Sequence, residues 1–217
     1  MAAPIVFYFD VISPYAYIAW TQIHALAERH AREVEPAPIL FAALLNANGN
    51  KGPAEIPSKR VYIFKDVLRT AARLGLPLTP PPAHPFNPLL ALRAASAPMP
   101  AGTRRALIDA LFRATWGGGG GVHGEREVAA ACAAVGLDPA ATLAAATSDE
   151  GKARVRARTE EALSRGVFGV PSMWADGELF WGYDAFAHLE RFLDGEDPID
   201  DAALAKWAGL PAAASRI

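Results

Sequence analysis

Phe9-Asp10-Val11-Ile12-Ser13-Pro14-Tyr15 joins two stretches of different periodicity. Ahead of it, Pro4-Ile5-Val6-Phe7-Tyr8-Phe9 is rich in β-branched and aromatic residues and predicts a buried strand. Behind it, Tyr17, Ile18, Trp20, Ile23, Ala25, Leu26 and Ala27 keep an apolar face at helical spacing as far as about His30. Ser13 therefore stands at the junction as a helix N-cap, with Pro14 at the first helical position. Capping alone accounts for both residues. The position has a second use, because the open end of a helix presents unpaired N–H groups and the positive end of the helix dipole, which favour anions. The same features lower the pKa of a thiol placed there. The chain's one cysteine, Cys132, lies far away in an alanine-rich stretch, so a thiolate at Ser13 has to arrive with a ligand.

The composition is that of an ordinary soluble globular protein: 217 residues, 52% hydrophobic, with 21 basic against 23 acidic side chains. No basic excess or arginine-aromatic stripe argues for nucleic acid. A single cysteine rules out disulfides within the chain and points to a reducing compartment, the cytoplasm being the expectation. The run from Ile5 to Ile12 is interrupted by Asp10 and lacks the flanks of a signal peptide. No apolar stretch approaches the roughly 20 residues of a membrane-spanning helix. The five histidines (His24, His30, His84, His123, His188) show no metal-ligand spacing, so no metal site is expected.

Further along, Glu35-Pro36-Ala37-Pro38 breaks the pattern, and Ile39-Leu40-Phe41-Ala42 predicts a second strand. Strand, helix and strand in some forty residues make a βαβ unit with parallel strands. The polar, glycine-bearing loop from Leu45 to Pro53 then leaves the carboxyl end of a parallel strand, where α/β sheets bind ligands.

From Lys59 to about Arg165 the signals are almost wholly helical. Tyr62, Phe64, Val67, Leu68, Ala71 and Leu74 predict one amphipathic face, ended by Gly75 and Pro77. Prolines at 77, 80, 81, 82, 85 and 88 make an extended connector. Helices are expected at Leu89–Ala97, Thr103–Trp116, Glu125–Val135, Pro139–Ala146 and Asp149–Arg165. Gly117 to Gly121 lacks the strand-then-helix context of a phosphate loop and predicts a flexible loop. Lys152, Arg154, Arg156 and Arg158 are spread around their helix and offset by Glu160 and Glu161, which predicts a solvated face. Strand character returns at Pro171–Ala175 and Leu179–Trp181, joined by the hairpin signal Asp176-Gly177. A last helix, Asp184 to Leu193, is expected to carry Asp184 as its N-cap.

The order β-α-β, a block of helices, then α-β-β-α fits an α/β, thioredoxin-like core carrying an inserted all-helical domain. The expected division is 1–45 with 166–195 for the core, 59–165 for the insertion and 196–217 for a C-terminal extension. Pro171 opens its strand after Gly166-Val167-Phe168-Gly169-Val170, where a proline is tolerable in any fold. In thioredoxin-like folds the corresponding proline is cis and frees the backbone of the residue before it to pair with an extended peptide.

Four segments, taken together, resemble the 2-hydroxychromene-2-carboxylate isomerases. They are Phe9 to Tyr15, Gly49-Asn50-Lys51-Gly52-Pro53, Val167-Phe168-Gly169-Val170-Pro171 and Phe180-Trp181-Gly182-Tyr183-Asp184. Trp116-Gly117, where the helical block turns back, is a further likeness. That family is grouped with the kappa-class glutathione transferases and the bacterial periplasmic disulfide oxidoreductases, and the match covers nearly the whole chain. The resemblance implies glutathione as cofactor, a small aromatic substrate and a homodimer.

It also implies roles. Ser13 would hydrogen-bond the glutathione sulfur, and Val170, ahead of Pro171, would pair with the cysteinyl backbone. Asp184 would receive the γ-glutamyl ammonium beside Gly182 and Tyr183, and Asn50 and Lys59 would line the groove. Tyr183 departs from the family pattern, standing where relatives commonly carry serine or asparagine; backbone N–H groups at that helix start would serve the γ-glutamyl carboxylate instead. In the isomerase chemistry so implied, a thiolate adds to an activated double bond, rotation follows, and elimination returns the thiol. The alternatives are a kappa-class transferase, which retains the conjugate, and a glutathione-binding module without turnover. Disulfide exchange is excluded, because Ser13-Pro14-Tyr15-Ala16 offers no sulfur.

Overall fold

The computed structural model describes residues 2–211, so the end of the expected C-terminal extension lies outside the described residues. In chain order the elements are β1 (Ile5–Phe9), α1 (Pro14–Arg29), β2 (Val34–Pro38) and α2 (Phe41–Ala47). A 3-10 turn at Pro53–Glu55 precedes α3 (Pro57–Leu74), α4 (Leu89–Ala95), α5 (Ala101–Trp116), α6 (Glu125–Ala134), α7 (Pro139–Thr147) and α8 (Asp149–Ser164). The chain then returns to β3 (Ser172–Ala175) and β4 (Glu178–Trp181), a second 3-10 turn at Tyr183–Ala185, α9 (Phe186–Leu193) and α10 (Asp201–Ala208). The four strands form one mixed sheet in the order β2-β1-β3-β4. β1 runs parallel to β2 and antiparallel to β3, which pairs in turn with β4.

β1 is buried throughout, and its period-two alternation splits the core. Ile5, Phe7 and Phe9 join α1, α4, α5 and α9 on one face, whereas Val6 and Tyr8 meet Ala37, Leu44 of α2 and Ala162 of α8 on the other. A strand covered on both sides reads as a continuous apolar run, which is how β1 appears in the sequence.

The second strand corrects the sequence expectation. It is not Ile39–Ala42 but the proline-bearing Val34-Glu35-Pro36-Ala37-Pro38, and Phe41 opens a helix. The Ile39 N–H donates to the Phe9 carbonyl at 2.9 Å, and the Ile5 N–H donates to the Glu33 carbonyl at 2.8 Å. Alternation then turns the odd-numbered backbone groups toward β1 and leaves Pro36 and Pro38 on the free edge, where a missing donor costs nothing.

Other expectations change in detail. The amphipathic α3 buries Val67 and Ala71 but leaves Tyr62 and Leu68 exposed. The glycine run is a packed turn: Gly121 N–H donates to the Ala114 carbonyl, and a Cβ at Gly119 would lie 2.6 Å from Ala114 Cα. The basic residues of α8 are not simply a solvated face, since Arg158 pairs with Glu35 of β2 and with Glu161. The Asp176-Gly177 hairpin is as expected, both residues having positive φ (48° and 95°).

Candidate active site

The loop between β1 and α1 is held at every peptide. Asp10, 1% exposed, closes β1 and accepts two backbone N–H bonds of 3.0 Å, from Ile12 to Oδ1 and from Phe41 to Oδ2. Its own carbonyl accepts from Ser13 N–H at 3.1 Å. One carboxylate therefore ties the loop to the start of α2, across the parallel pair β1–β2. Burial pushes this carboxyl up to about 7, against the pull of the two N–H donors.

The helical block holds the remaining loop carbonyls. Trp116 Nε1–H, at the end of α5, donates to the Val11 carbonyl at 2.9 Å. His84, in the proline connector, places Nε2 3.0 Å from the Ile12 carbonyl. A carbonyl can only accept, so this nitrogen carries the proton, and Nδ1 is left buried without a hydrogen-bond partner. Burial depresses the His84 pKa, which keeps the ring neutral. Phe64 and Trp116 pack around the ring at centroid distances of 5.6 and 5.5 Å.

This loop delivers Ser13 to the N-terminus of α1 in extended conformation (φ −92°, ψ 119°), followed by Pro14 in the first turn. Ser13 Oγ accepts from Ala16 N–H at 3.2 Å and lies 3.5 Å from the Val170 carbonyl, toward which its hydroxyl points. The side chain is thus an N-cap that also faces the Val170 carbonyl. The Val170–Pro171 bond that follows is cis. Gly182 N–H, bonded to the Pro171 carbonyl at 2.9 Å, fixes the next segment beside it.

Tyr183 and Asp184 lie in the 3-10 turn after Gly182, and here the expected cap is corrected. Asp184 does not cap α9, which starts at Phe186 after Ala185 without a side-chain cap bond. Its exposed carboxylate folds back over Gly182 instead. Gly182 has φ +90°, and its missing Cβ leaves the space that the Asp184 oxygen fills. Tyr183 packs its ring 5.1 Å from Phe186 and is half-buried.

A second polar cluster adjoins through Tyr15, in the first turn of α1. Its hydroxyl donates to Asp66 of α3 at 2.8 Å. Burial, then the Asp66 carboxylate, hold this phenol above the usual tyrosine range. Lys59, with Ser58, Tyr62 and Ile63, lines a cavity of about 370 Å³ on α3. Asn50 is exposed, its N–H bonded to the Leu45 carbonyl. Among the described residues, neither Asn50 nor Lys59 hydrogen-bonds to the Ser13–Val170 pair.

The structure therefore brings Ser13, Val170 and Pro171 together and sets Gly182, Tyr183 and Asp184 beside them, while Asn50 and Lys59 make no contact with them by hydrogen bond. Asp10, His84, Tyr15 and Asp66 were missed as site residues. Asp10 had a signal, as the one charged residue in an otherwise apolar run. His84 and Asp66 had none, since their partners lie 72 and 51 residues away. Phe168 and Trp181 form an exposed aromatic pair (4.9 Å), with the indole seated against Gly169.

The chain can be set against known proteins. The model of the DSBA-like thioredoxin domain matches residues 4–194. A 2-hydroxychromene-2-carboxylate isomerase from Sphingobium xenophagum is 33% identical over 197 residues, covering 89% of this chain and 99% of that protein. A glutathione S-transferase kappa 1 from Caenorhabditis elegans is 39% identical over 77 residues, about a third of each chain (35% and 34%). A solved 2-hydroxychromene-2-carboxylate isomerase superposes with a TM-score of 0.80 at 25% identity, covering 96% of this chain and 99% of that one.

Proposed function

The chain belongs to the 2-hydroxychromene-2-carboxylate isomerase family of DSBA-like thioredoxin domains, and we propose that it is a glutathione-dependent isomerase of a small aromatic-catabolism intermediate such as 2-hydroxychromene-2-carboxylate. The observation that carries the proposal is Ser13: a hydroxyl at the open end of α1, 3.5 Å from the carbonyl that precedes Pro171, with no cysteine nearby.

The groups around Ser13 suit glutathione on their own terms. No hydrogen bond takes the Val170 N–H among the described residues, so an extended peptide can receive it. Asp184 offers an exposed carboxylate for an ammonium group, and the turn after Gly182 offers backbone donors for a carboxylate. On the family resemblance Lys59 and Asn50 would line the same groove. When bound, glutathione supplies the thiolate, a nucleophile whose reversible addition makes a double bond free to rotate.

The chain's own residues do the rest. Ser13 Oγ–H donates to the sulfur and, with the N-terminal N–H groups of α1, favours its anionic form. Asp10, His84 and Trp116 hold the loop so that this hydroxyl does not reorganise during turnover. Trp116, the aromatic face of Tyr17 and the helical block make the surroundings apolar, as a flat substrate requires.

The accompanying proposals are coarser. The single, buried Cys132 suits the cytoplasm, and a homodimer is proposed from the family. No helix among the described residues is long and apolar enough to cross a membrane.

The test is an isomerisation assay on 2-hydroxychromene-2-carboxylate with and without glutathione, followed by absorbance and mass spectrometry. Turnover that requires glutathione and leaves it unmodified supports the proposal. A glutathione conjugate as the end product favours the kappa-transferase alternative, and full-rate turnover without any thiol overturns the cofactor.

A further inference from the structure

Trp181 closes β4 with its side chain 54% exposed, and Phe168 beside it is 43% exposed. An indole left half in water contributes little to the core, so its position calls for another account. The face it turns inward covers one residue, the buried Gly169. A Cβ added at Gly169 would lie 3.0 and 3.2 Å from Cε2 and Cδ1 of the ring, with Nε1 nearer still. Gly169 has no positive φ, so its missing side chain serves this close approach and not a turn.

The β3–β4 hairpin holds the same short segment by two further contacts. Ser172 Oγ–H donates to the Gly169 carbonyl at 2.8 Å, and Gly182 N–H donates to the Pro171 carbonyl at 2.9 Å. Trp181 stands opposite Ser172 in the strand register, so ring and hydroxyl act on Gly169 from neighbouring strands. Phe168 packs edge to face on the indole, with ring centroids 4.9 Å apart and an interplanar angle of 61°.

Val170 lies between these anchored residues. Its N–H shares one planar trans peptide unit with the Gly169 carbonyl, so the two point in opposite directions. Holding that carbonyl therefore aims the Val170 N–H. A single hydrogen bond from Ser172 sets the direction but lets the peptide pivot about it. The indole packed on Gly169 blocks the pivot.

We propose that Trp181 is a positioning residue, whose indole holds the Gly169–Val170 peptide so that the Val170 N–H meets the cysteinyl backbone of glutathione. The role rests on the glutathione reading above. It concerns binding shared by ground state and transition state, so it acts on KM and not on kcat.

The experiment compares the native chain with Trp181→Ala, Trp181→Phe, Gly169→Ala and the double variant Gly169→Ala/Trp181→Ala. In calorimetric titration with glutathione, Trp181→Ala should weaken binding roughly three- to tenfold, the range of one net hydrogen bond, and Trp181→Phe should recover most of it. Gly169→Ala should weaken binding in the native chain but add little in Trp181→Ala, where the ring it displaces is gone. The KM for glutathione should rise with the loss of affinity, while kcat at saturating glutathione stays within about twofold. Hydrogen exchange on the ligand-free chain gives an independent readout. The Gly182 N–H should lose protection roughly three- to tenfold in Trp181→Ala, while the amides of β1 keep theirs. Unchanged glutathione affinity, a lowered kcat with unchanged KM, additive effects at 169 and 181, or unchanged Gly182 protection would each overturn the role. Protection lost equally in β1 would overturn it too, since the ring would then serve general stability. Trp181→Phe keeps the comparison decisive if the alanine variant fails to fold. A native chain that neither binds nor requires glutathione defeats the cofactor reading by itself, and the ligand-free exchange still decides whether the indole holds the peptide.

Discussion

Ser13 caps α1 and, in the proposed function, donates to the glutathione sulfur with the same oxygen, and the two roles separate by substitution. Removing it in Ser13→Ala takes away a cap and a donor to sulfur but leaves the helix dipole and the backbone N–H groups. Glutathione-dependent turnover should therefore fall by roughly 10²-fold or less, as for one lost oxyanion-type donor, and not collapse as for a lost nucleophile. Ser13→Cys should keep some glutathione-dependent activity, and intact-mass analysis should find no modified Ser13 in the native enzyme.

Asp184 caps nothing in the structure, so Asp184→Asn should leave the melting temperature unchanged. Glutathione affinity, read by calorimetry, should fall by about 1.5–3 kcal/mol. A lower melting temperature with unchanged affinity would mean the carboxylate serves only the fold.

Asp10 gives a pH signature. Its carboxyl is raised from 3.8 to about 7 in the folded chain, so between those values the native state holds a proton that the unfolded chain has lost. Stability from this group is complete below about 4, is lost as the pH rises toward 7, and is constant beyond. The urea midpoint of the native chain relative to Asp10→Asn should fall over that window and then run flat. Parallel curves would show that Asp10 ionises at an ordinary carboxyl pKa.

At the scale of elements, what the sequence revealed was what depends on near neighbours. Ser13 and Pro14 announce the start of α1, and Asp176-Gly177 announces a hairpin, because each requirement lies within a turn of its cause. β2 was misplaced because the strand rule penalises proline, and the free edge that excuses Pro36 and Pro38 is a property of the sheet. The Asp184 cap was misplaced for a similar reason. The 3-10 turn before α9 shifts the helix start by two residues and leaves the carboxylate exposed over Gly182. The pinning of the β1–α1 loop was invisible, since Asp10, His84 and Trp116 act across 31, 72 and 105 residues. Trp116→Phe tests that pinning. It keeps most of the packing but leaves the Val11 carbonyl buried and unpaired, at a cost of about 1–3 kcal/mol by urea unfolding. Catalysis should fall by more than substrate affinity, because the relaxed loop displaces Ser13. An unchanged kcat with lowered stability would confine Trp116 to the core.

Over the whole molecule, one core crosses from the sheet into the helical block, and Phe112 of α5 is the residue on which the two meet. It is 1% exposed, with its ring centroid 5.5 Å from Phe9 of β1 and 6.1 and 6.3 Å from Tyr17 and Trp20 of α1. The helical block also reaches the β1–α1 loop through His84 and Trp116, so neither part can open without exposing the other's apolar surface. We therefore expect the sheet and the helices to unfold together, despite a length at which separate transitions become common. Phe112→Ala should cost about 3–5 kcal/mol, as large cavities in a tight core do. It should lower the midpoint without splitting the transition. Far-UV circular dichroism reports mainly the helices, and tryptophan fluorescence reports Trp174 and Trp181 of the sheet together with Trp20 of α1 and Trp116 of α5, so coincident curves in native chain and variant would bear this out. Two separated midpoints in Phe112→Ala, with helicity surviving the fluorescence change, would instead mean that the helices stand without the sheet and that Phe112 only couples two independent units.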